Sequence, residues 1–424
     1  MKTVGLLSLG CKVNAYETEY IRNLLEENNY QIKDFNDKCD IYIINTCTVT
    51  NSSDSKSRKM IRKAIKENPH ACIVAMGCFI ESSKNNLIEG IDIVIGNQDK
   101  NKILELLDEY FKNKEQIIKL YNTRDKSFDD MFITDFPGRT RAFVKIQDGC
   151  DNFCSYCIIP FVRGKCRSKD PKKVIEEVTS LVNNGYKEVV LTGIHTGNYG
   201  NDLEYKFSDL LNDLIKIKGL KRLRISSIEA TELNEDVLNV LRKSNIIVDH
   251  LHIPIQSGSN EILKLMNRKY DLEYFENKIN EIRSIRKDIS ITTDVIVGFP
   301  GETESLFNET IDTVKRINFS KIHVFPYSER QGTASSRMEN KVPNNIVKDR
   351  AKELIKVSEE LEKDYFNKFI GKEVEVLIEE YKDNYSYGHT GNYLYVKINK
   401  ELEHNKVYKV KLTSIEYPYI IGEI

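Results

Sequence analysis

Three short stretches of one form decide the fold of this chain: VGLLSLGC (4–11), IYIINTC (41–47) and ACIVAMGC (71–78). Each is an apolar run closed by a cysteine, at Cys11, Cys47 and Cys78. Patterns with apolar residues on one helical face follow the first two runs. Alternation of strand and helix implies a parallel sheet, so an α/β domain with a parallel sheet is predicted over residues 1–112.

Two helix starts are predicted after the first two cysteines. Asn14, with Glu17 three residues later, has the pattern of an N-cap with a capping box. Ser52 and Ser53 are the expected cap residues of the next helix, and Pro69 follows its end.

The parallel sheet gives the three cysteines a common position. Carboxyl ends of parallel strands meet at one edge, where ligands bind in such folds, so Cys11, Cys47 and Cys78 are expected to lie together. Cys39 and Cys72 stand at strand beginnings, on the opposite edge, and are expected to be ordinary buried residues. Coincidence is the alternative, because core strands often contain cysteine.

Composition describes a water-soluble protein of two or three domains. The chain has 424 residues, of which 40% are hydrophobic and 30% charged. No apolar run approaches the ~18 residues that a membrane span needs, and the N-terminus lacks the features of a signal peptide. A cytoplasmic location is therefore expected, in which nine cysteines are metal ligands or core residues rather than disulfides. The net charge of −1 gives no indication about nucleic acid.

Two further domains follow in the sequence. Residues 113–138 are polar, contain Pro137-Gly138 and are predicted to be a linker. Residues 139–366 contain six strand candidates separated by helical patterns, which fits a partial (β/α)6 barrel better than a full eight-unit barrel. Residues 367–424 alternate with period two, which predicts a small antiparallel β-barrel.

A compact group of cysteines, Cys150-Asp-Asn-Phe-Cys154-Ser-Tyr-Cys157, follows the first strand of the central domain. A zinc site would need a fourth ligand; the nearest candidate is Cys166, and His195 is much farther along the chain. Three cysteines can instead hold a [4Fe–4S] cluster with one open iron, to which S-adenosylmethionine (SAM) can bind. A structural zinc loop and plain buried thiols remain the alternatives, and Cys166 is expected to be a bystander.

The compact group, with the strands around it, resembles the radical SAM superfamily over roughly residues 139–327. The resemblance implies a [4Fe–4S] cluster on Cys150, Cys154 and Cys157, with SAM bound to it. It also implies cofactor contacts at the carboxyl ends of the strands, where small residues let a ligand approach closely. The candidate cofactor-binding residues are Tyr156, Thr192, Gly193, Ser227, Glu229, Gln256 and Gly298.

The two cysteine groups together resemble the methylthiotransferase family over the whole chain. SLGCKVNAYETE (8–19), NTCTVTNSSDSKSR (45–58) and GCFIE (77–81) match its N-terminal domain, which holds an auxiliary [4Fe–4S] cluster. The C-terminal barrel, with SYGHTGNY (386–393), looks like a TRAM domain, an RNA-binding module. By this resemblance the cofactors are two [4Fe–4S] clusters and SAM, and the six cysteines are the catalytic and metal-ligating residues. One SAM methylates a sulfur on the auxiliary cluster, and a second SAM gives the radical that removes hydrogen from the substrate carbon.

The family divides by substrate, and Lys12-Val13-Asn14 resembles one of its branches. So does FPYSERQGTAS (325–335). The implied reaction is methylthiolation of C2 of N6-threonylcarbamoyladenosine at position 37 of tRNA. The alternatives are N6-isopentenyladenosine 37, a ribosomal-protein aspartate and, more remotely, a non-catalytic zinc protein that binds RNA.

RNA contact has some independent support in the charge pattern. Basic residues crowd the second helix and the loop after the compact group, and both lie beside the expected cluster face. Either patch alone could equally be a solvated surface. The barrel could bind bases by tyrosine stacking, although several tyrosines must fill its core, and His389 could contact RNA or be structural. The basic residues are Lys56, Arg58, Lys59, Arg62, Lys63, Lys66, Arg163, Lys165, Arg167 and Lys169.

The expected partners follow from the implied reaction. They are tRNA, at its anticodon stem-loop, and a reductant such as flavodoxin or ferredoxin. No membrane contact is expected. A monomer is expected as well, because no heptads or large apolar surface segments require a partner chain.

Overall fold

A parallel sheet forms the amino-terminal part of the molecule, whose computed structural model describes residues 1–122 and 127–424. Its strand order is β2-β1-β3-β4-β5-β6, and all neighbouring pairs are parallel. The strands are β1 (Thr3–Ser8), β2 (Gln31–Lys33), β3 (Ile41–Thr46), β4 (Cys72–Gly77), β5 (Ile93–Ile95) and β6 (Ile117–Lys119). The helices are α1 (Lys12–Glu27), α2 (Asn51–Glu67), α3 (Cys78–Ser82) and α4 (Ile103–Asn113).

Helices cover both faces of this sheet. Ile21 of α1 and Leu106 of α4 pack on one face, and Ile61 and Ala64 of α2 pack on the other. Strands β3 and β4 are buried along their full length, which explains why both read as continuous apolar runs.

The two predicted helix caps differ from the structure. Helix α1 begins at Lys12 with Cys11 at its cap position, so the Asn14 and Glu17 cap is wrong. Asn14 lies inside the helix and donates from Nδ2 to the Leu9 and Thr46 carbonyls, at 2.7 and 3.0 Å. The capping rule sees only local spacing, whereas these two side chains have distant partners.

Helix α2 is capped by Thr50 rather than by Ser52 or Ser53. The Thr50 hydroxyl accepts a hydrogen bond from the Ser53 backbone N–H, at 3.1 Å. The helix therefore begins slightly earlier than predicted.

The segment after α4 contributes to two cores. Strand β6 completes the first sheet, and Met131, Ile133 and Phe136 are buried in the central core. Residues 123–126 of the predicted linker lie outside the described residues.

The central part is the partial barrel of six parallel strands that was predicted. Two three-stranded sheets, β11-β10-β7 and β12-β13-β14, are joined by a bridge between Leu223 and Ile247. The strands, with a short antiparallel pair, are β7 (Arg141–Lys145), β8 (Gln147–Asp148), β9 (Arg167–Ser168), β10 (Glu188–Thr192), β11 (Arg222–Ile225), β12 (His250–His252), β13 (Ser290–Val297) and β14 (Lys321–Pro326). The helices are α5 (Ile159–Val162), α6 (Pro171–Asn183), α7 (Phe207–Leu214), α8 (Glu235–Lys243), α9 (Asn260–Leu265), α10 (Leu272–Ile285), α11 (Glu304–Ile317) and α12 (Asn344–Asn367).

Alternate residues of these strands face the helices or the barrel interior. Val189 and Leu191 of β10 pack with Val178 of α6 in the main core. Their neighbours on the other face include charged residues such as Glu188, so the interior is polar at that level.

The C-terminal part is a closed five-stranded barrel in the order β15-β16-β17-β19-β18. It is antiparallel as predicted, except that β17 and β19 run parallel. Its core is aliphatic, with members such as Val376, Val396 and Leu412. The strands are β15 (Glu373–Lys382), β16 (Tyr385–Thr390), β17 (Tyr395–Ile398), β18 (Val407–Glu416) and β19 (Tyr419–Glu423).

No helix among the described residues is long and apolar enough to cross a membrane.

Candidate functional site

The structure brings the dispersed cysteines together. Cys11, Cys47 and Cys78 directly follow β1, β3 and β4 or the short turns at their ends, and these strands are neighbours in the sheet. Burial raises the pKa of the Cys11 and Cys47 thiols, and the neighbouring thiols of the group raise both further. Because the three strands are neighbours, the three cysteines lie at one edge of the sheet. Cys39 and Cys72 lie at the opposite ends of the strands.

Glycines before two of these cysteines make the close approach possible. Gly10 has φ +95, and a Cβ there would come within 2.6 Å of the Cys47 side chain. Gly77 has φ +96, and a Cβ there would come within 2.6 Å of Asn45 Oδ1. Both conformations favour glycine, so the sequence GC at these strand ends has a structural reason.

An arginine from the compact cysteine loop reaches the dispersed group. Arg163 is fully buried, and its Nε donates to Cys78 Sγ at 3.2 Å. Its Nη1 pairs with Glu17 Oε1 at 3.1 Å and with Asp148 Oδ1 at 3.0 Å. Its Nη2 donates to Asn14 Oδ1 at 2.7 Å. Asn14 and Glu17, expected as helix caps, therefore belong to this site.

A buried ion network surrounds that arginine, and in it four cations share two carboxylates. Two more buried carboxyl groups, Asp129 and Glu81, lie nearby; burial raises the pKa of Glu81 and raises the pKa of Asp129 to about 6. Arg163 is the cation of this network that contacts Cys78. The network pairs Glu17 with Lys100, Lys145 and Arg163, and Asp148 with Lys145, Arg163 and Arg167.

The hydrogen-bond donors at Cys78 show whether the dispersed cysteines fit the implied auxiliary cluster. Three thiolates on iron form an anionic group, and a buried anion needs compensating charge or hydrogen bonds. Arg163 supplies both at Cys78, and Asn97 Nδ2 adds a second donor to the same sulfur at 3.5 Å. The donor set of Cys11, Cys47 and Cys78 therefore fits an iron–sulfur cluster.

The compact cysteines occupy the loop between β8 and α5. Burial raises the pKa of the Cys157 thiol to about 12, and the Cys154 and Cys150 thiols add to the rise. Arg268 Nη1 donates to Cys154 Sγ at 3.4 Å. A guanidinium contact at a sulfur is also present here, so this loop fits an anionic cluster as well.

A histidine that the sequence left as a distant zinc candidate lies next to this loop. His195 Nδ1 is 3.9 Å from Cys150 Sγ and 4.0 Å from Cys166 Sγ, and its Nε2 pairs with Glu232. Cys166, predicted to be a bystander, is thus a neighbour of the compact group. His195 is 45 residues from Cys150, so no local spacing could indicate this contact.

The predicted cofactor residues all lie at carboxyl ends of central strands or in the compact loop. Thr192 is buried at the end of β10, and its hydroxyl has no hydrogen-bond partner among the described residues. Gly193 lies against Gln147, and Gln256 after β12 has φ +70. These positions face the same end of the barrel as the compact loop, but their contacts with SAM stay a prediction.

Three of the predicted cofactor residues already have protein partners. A fourth, Ser227, is half-buried. Glu229 accepts from Arg268. The backbone N–H of Gly298 donates to Glu302 Oε1 at 2.8 Å. Tyr156 packs edge-on against Phe299, with ring centroids 6.5 Å apart. These contacts shape the strand ends whether or not each residue touches the cofactor.

A set of cationic and aromatic side chains from three parts of the chain meets in the barrel interior. Arg141 Nη1 donates to the Tyr393 hydroxyl at 3.0 Å, and Arg224 lies 4.5 Å above the same ring. His250 stacks on this ring, with the ring centroids 4.9 Å apart. Lys12 is exposed and makes no hydrogen bond or ion pair with a described residue. Partial desolvation by the surrounding protein lowers the pKa of Lys12, and the positive charges of Arg224 and Arg141 lower it further.

Three polar side chains on adjacent strands face the same space. His252, Asp294 and His323 have ligand atoms within 4.8 Å of one another. His252 Nδ1 lies 2.9 Å from Thr292 Oγ1, which orients the ring toward Asp294 at 3.3 Å. Two histidines and a carboxylate could bind a divalent cation, although the Lys12 charge near Asp294 opposes one.

One predicted basic patch is exposed and the other is mostly buried; RNA contact by the exposed patch stays a prediction. The α2 residues Arg58, Arg62 and Lys66 are exposed and line a cleft of about 1790 Å³ that also includes Phe161 of the compact loop. In the loop patch, by contrast, Arg163, Arg167 and Lys169 are buried in ion pairs, and only Lys165 is exposed. Sequence spacing could not distinguish these cases, because burial of the loop cations depends on how the domains pack, as the contact of Arg163 with Glu17 across 146 residues shows.

The tyrosines of the terminal barrel lie on its outside rather than in its core. Tyr387 contacts the rings of Tyr385, Tyr395 and Tyr419, with centroids 5.4 to 6.5 Å apart. His389 stacks on Tyr395 at 4.6 Å. We call these five residues the aromatic band. Its members are half-exposed, so flat ligands can reach them.

Family models match both cysteine-bearing domains. The Radical SAM superfamily matches residues 144–314, and a model described as Uncharacterized protein family UPF0004 matches residues 3–96. A solved radical S-adenosylmethionine methyltransferase, TsrM of Kitasatospora setae, has a TM-score of 0.56 over 77% of this chain and 73% of its own. At 15% identity it supports the fold alone.

Relatives of known name match along the chain. Threonylcarbamoyladenosine tRNA methylthiotransferase MtaB of Bacillus subtilis (strain 168) is 46% identical, covering 100% of this chain and 96% of the relative. Its namesake in Aquifex aeolicus (strain VF5) is 39% identical, covering 89% and 93%. A tRNA-2-methylthio-N(6)-dimethylallyladenosine synthase of Lachnoclostridium phytofermentans (strain ATCC 700394 / DSM 18823 / ISDg) is 35% identical, covering 100% and 95%. The predicted resemblance is confirmed: the chain belongs to the radical SAM tRNA methylthiotransferase family.

Proposed function

We propose that this protein methylthiolates C2 of N6-threonylcarbamoyladenosine at position 37 of tRNA, using SAM and two [4Fe–4S] clusters. The observation that carries the proposal is the pair of cysteine triads, each with a guanidinium donating to one of its sulfurs. The family uses SAM with a [4Fe–4S] cluster. The second cluster rests on the dispersed triad and on the cationic network behind it.

The two groups would have different roles. When bound, the cluster of the compact triad would supply the electron that cleaves SAM, and that of the dispersed triad would carry the sulfur that is transferred. The chain's own residues hold these groups near each other, because Arg163 contacts Cys78 and the strand that leads to Cys150. The substrate base would occupy the space between them.

The threonylcarbamoyl substituent is supported by the charges of the barrel interior. This substituent ends in a carboxylate, whereas a dimethylallyl group is apolar. Lys12 has no ionic partner among the described residues, and one guanidinium nitrogen of Arg224, Nη1, is buried without a hydrogen bond. Both could pair with a carboxylate. The relatives named for this nucleoside also have higher identity than the dimethylallyl relative.

Two surfaces could hold the tRNA. The cleft beside α2 presents Arg58, Arg62 and Lys66 to an anionic backbone. The aromatic band could stack unpaired bases, which would serve an anticodon loop. A small reductant such as flavodoxin or ferredoxin would complete the cycle, and the chain would act as a monomer.

Nucleoside mass spectrometry of tRNA from a deletion strain tests the substrate. We expect 2-methylthio-N6-threonylcarbamoyladenosine to disappear and its unmodified precursor to accumulate, with restoration by the wild-type gene. An unchanged level would refute the substrate. Loss of the methylthio-isopentenyl nucleoside, or of the modified ribosomal aspartate, would assign the protein to one of the other branches.

Anaerobic purification tests the cofactors. Two cubane clusters give about eight iron atoms per chain and a brown protein. About four iron atoms would remove the second cluster from the proposal. A colourless zinc protein would instead identify a non-catalytic RNA-binding protein.

A further inference from the structure

One fully buried side chain connects the two cysteine groups. Arg163 comes six residues after Cys157, at the end of α5. Its guanidinium nevertheless contacts Cys78, which is 85 residues earlier in the chain. Among the described residues, no other cationic side chain donates a hydrogen bond to the sulfur of Cys11, Cys47 or Cys78.

Three side chains fix the orientation of the Arg163 guanidinium. Glu17 and Asp148 hold Nη1, and Asn14 Oδ1 holds Nη2, all at 3.1 Å or less. The planar guanidinium therefore cannot rotate freely, and Nε–H stays directed at Cys78 Sγ, 3.2 Å away. Such geometry belongs to a positioned donor rather than to a chance contact.

A donor of this kind affects the electronics of a bound cluster. A hydrogen bond to a ligand sulfur and a nearby positive charge both stabilise the more negative, reduced cluster. We propose that Arg163 is a positioning residue that holds Cys78 and raises the reduction potential of the cluster on Cys11, Cys47 and Cys78. The inference rests on the proposed function, because it requires the second cluster.

The same guanidinium also holds the compact loop. Asp148, its ion-pair partner, stands two residues before Cys150, and Asp148 Oδ1 also accepts from the Gly149 backbone N–H at 2.8 Å. Arg163 thus fixes the chain that enters one triad and a sulfur of the other. Arg163 is therefore one of the side chains that join the two sites.

The test is a redox titration of the anaerobic holoenzyme, followed by electron paramagnetic resonance. SAM perturbs only the signal of the cluster to which it binds, which identifies the other signal as that of the dispersed triad. We expect Arg163→Met to lower the reduction equilibrium constant of that cluster at least tenfold, a shift of about 59 mV to lower potential for one electron. Arg163→Lys, which keeps the charge but not the fixed Nε–H, should give a smaller shift in the same direction.

Arg167→Met is the matched control. Arg167 is also buried and pairs with Asp148, with Nη2 3.4 Å from Oδ2, but it has no contact with a triad sulfur. Its midpoint should shift clearly less than that of Arg163→Met, because it loses a charge of the network but no hydrogen bond to Cys78. Equal shifts in both methionine variants would show a general effect of the network and overturn the inference, as would an unchanged midpoint in Arg163→Lys and Arg163→Met.

A further variant keeps the inference testable if Arg163→Met loses iron. Asn97→Ala removes the weaker donor to Cys78 Sγ and leaves Arg163 in place. Its midpoint should lie between those of the wild type and Arg163→Lys. A larger shift than in Arg163→Lys would overturn the assignment of Arg163 as the main donor. Absence of a second signal in the wild type would instead refute the proposed function.

Discussion

Cys11 is the residue whose loss should separate the two parts of the reaction. Its sulfur belongs to the dispersed triad and not to the compact one, so Cys11→Ala should abolish methylthio transfer while SAM cleavage continues without coupling. Liquid chromatography of 5′-deoxyadenosine and of the modified nucleoside measures both products. Transfer should fall below detection.

Two control variants bracket this result. Cys39→Ala changes a buried thiol at the opposite end of the strands and should keep both activities. Cys150→Ala should abolish both. If 5′-deoxyadenosine formation disappeared in Cys11→Ala as well, the division of roles between the triads would be wrong.

Single residues show where the sequence was sufficient and where it was not. The position of Cys78 could be predicted because it directly follows an apolar run, and a run of adjacent residues identifies a strand and its carboxyl end. Glu17 was wrongly predicted to be a helix cap and Arg163 to be a surface cation. The two form a buried ion pair although they are 146 residues apart in the sequence. Local spacing cannot reveal a partner at that distance.

Helix α2 is the element that should contribute most of the salt-dependent tRNA affinity. Arg58 and Arg62 are exposed and line the large cleft, so each can neutralise a phosphate. Replacing both with glutamine should reduce the slope of log K against log salt by about 2, or about 1 per contact. Binding measured by filter retention at several salt concentrations gives the slope. The paired change Lys352→Gln and Lys356→Gln, on exposed positions of α12 outside the cleft, should leave it unchanged.

Strand β16 should contribute affinity of another kind. Tyr387 lies centrally in the aromatic band, and stacking of a base on a ring contributes about 1–3 kcal/mol. Tyr387→Leu should therefore weaken tRNA binding at every salt concentration with an unchanged slope. Tyr381→Leu is the control, because Tyr381 is exposed on β15 outside the band. A reduced slope in Tyr387→Leu would contradict the stacking role.

Elements were easier to predict than their ends and surroundings. The runs that became β3 and β4 are continuous and largely apolar, so their existence followed from the sequence alone. Thr50 caps helix α2 in place of the predicted serines, because several nearby hydroxyl residues can serve as a cap. The tyrosines of β16 and β17 were partly assigned to the core, because β propensity does not show which face of a strand is buried.

At the scale of the whole molecule, an arginine side chain of the central barrel holds the terminal barrel by hydrogen bonds to its backbone carbonyls. Arg222 of β11 donates to the carbonyls of His389 and Glu375, both at 2.9 Å. Each such bond contributes about 1 kcal/mol or more, so Arg222→Met should increase the open fraction about tenfold or more.

Limited trypsin digestion measures that opening. Lys368 and Lys372 are exposed between α12 and β15, and cleavage there should accelerate in Arg222→Met. Arg242→Met changes a partly exposed arginine of α8 without contacts to the terminal barrel and should digest like the wild type. Equal rates in both variants would show that other contacts fasten the barrel.

If the dispersed triad holds its proposed cluster, the ion network behind Cys78 would also link protein lifetime to iron supply. Without that anion, the buried charges of Lys145, Arg163 and Arg167 would repel one another with only Asp148 and Glu17 to offset them. A ligand that binds only the folded state adds to its stability, so a chain without its cluster opens more often. Proteases degrade open chains, and a cell short of iron would therefore clear this protein instead of accumulating an inactive form.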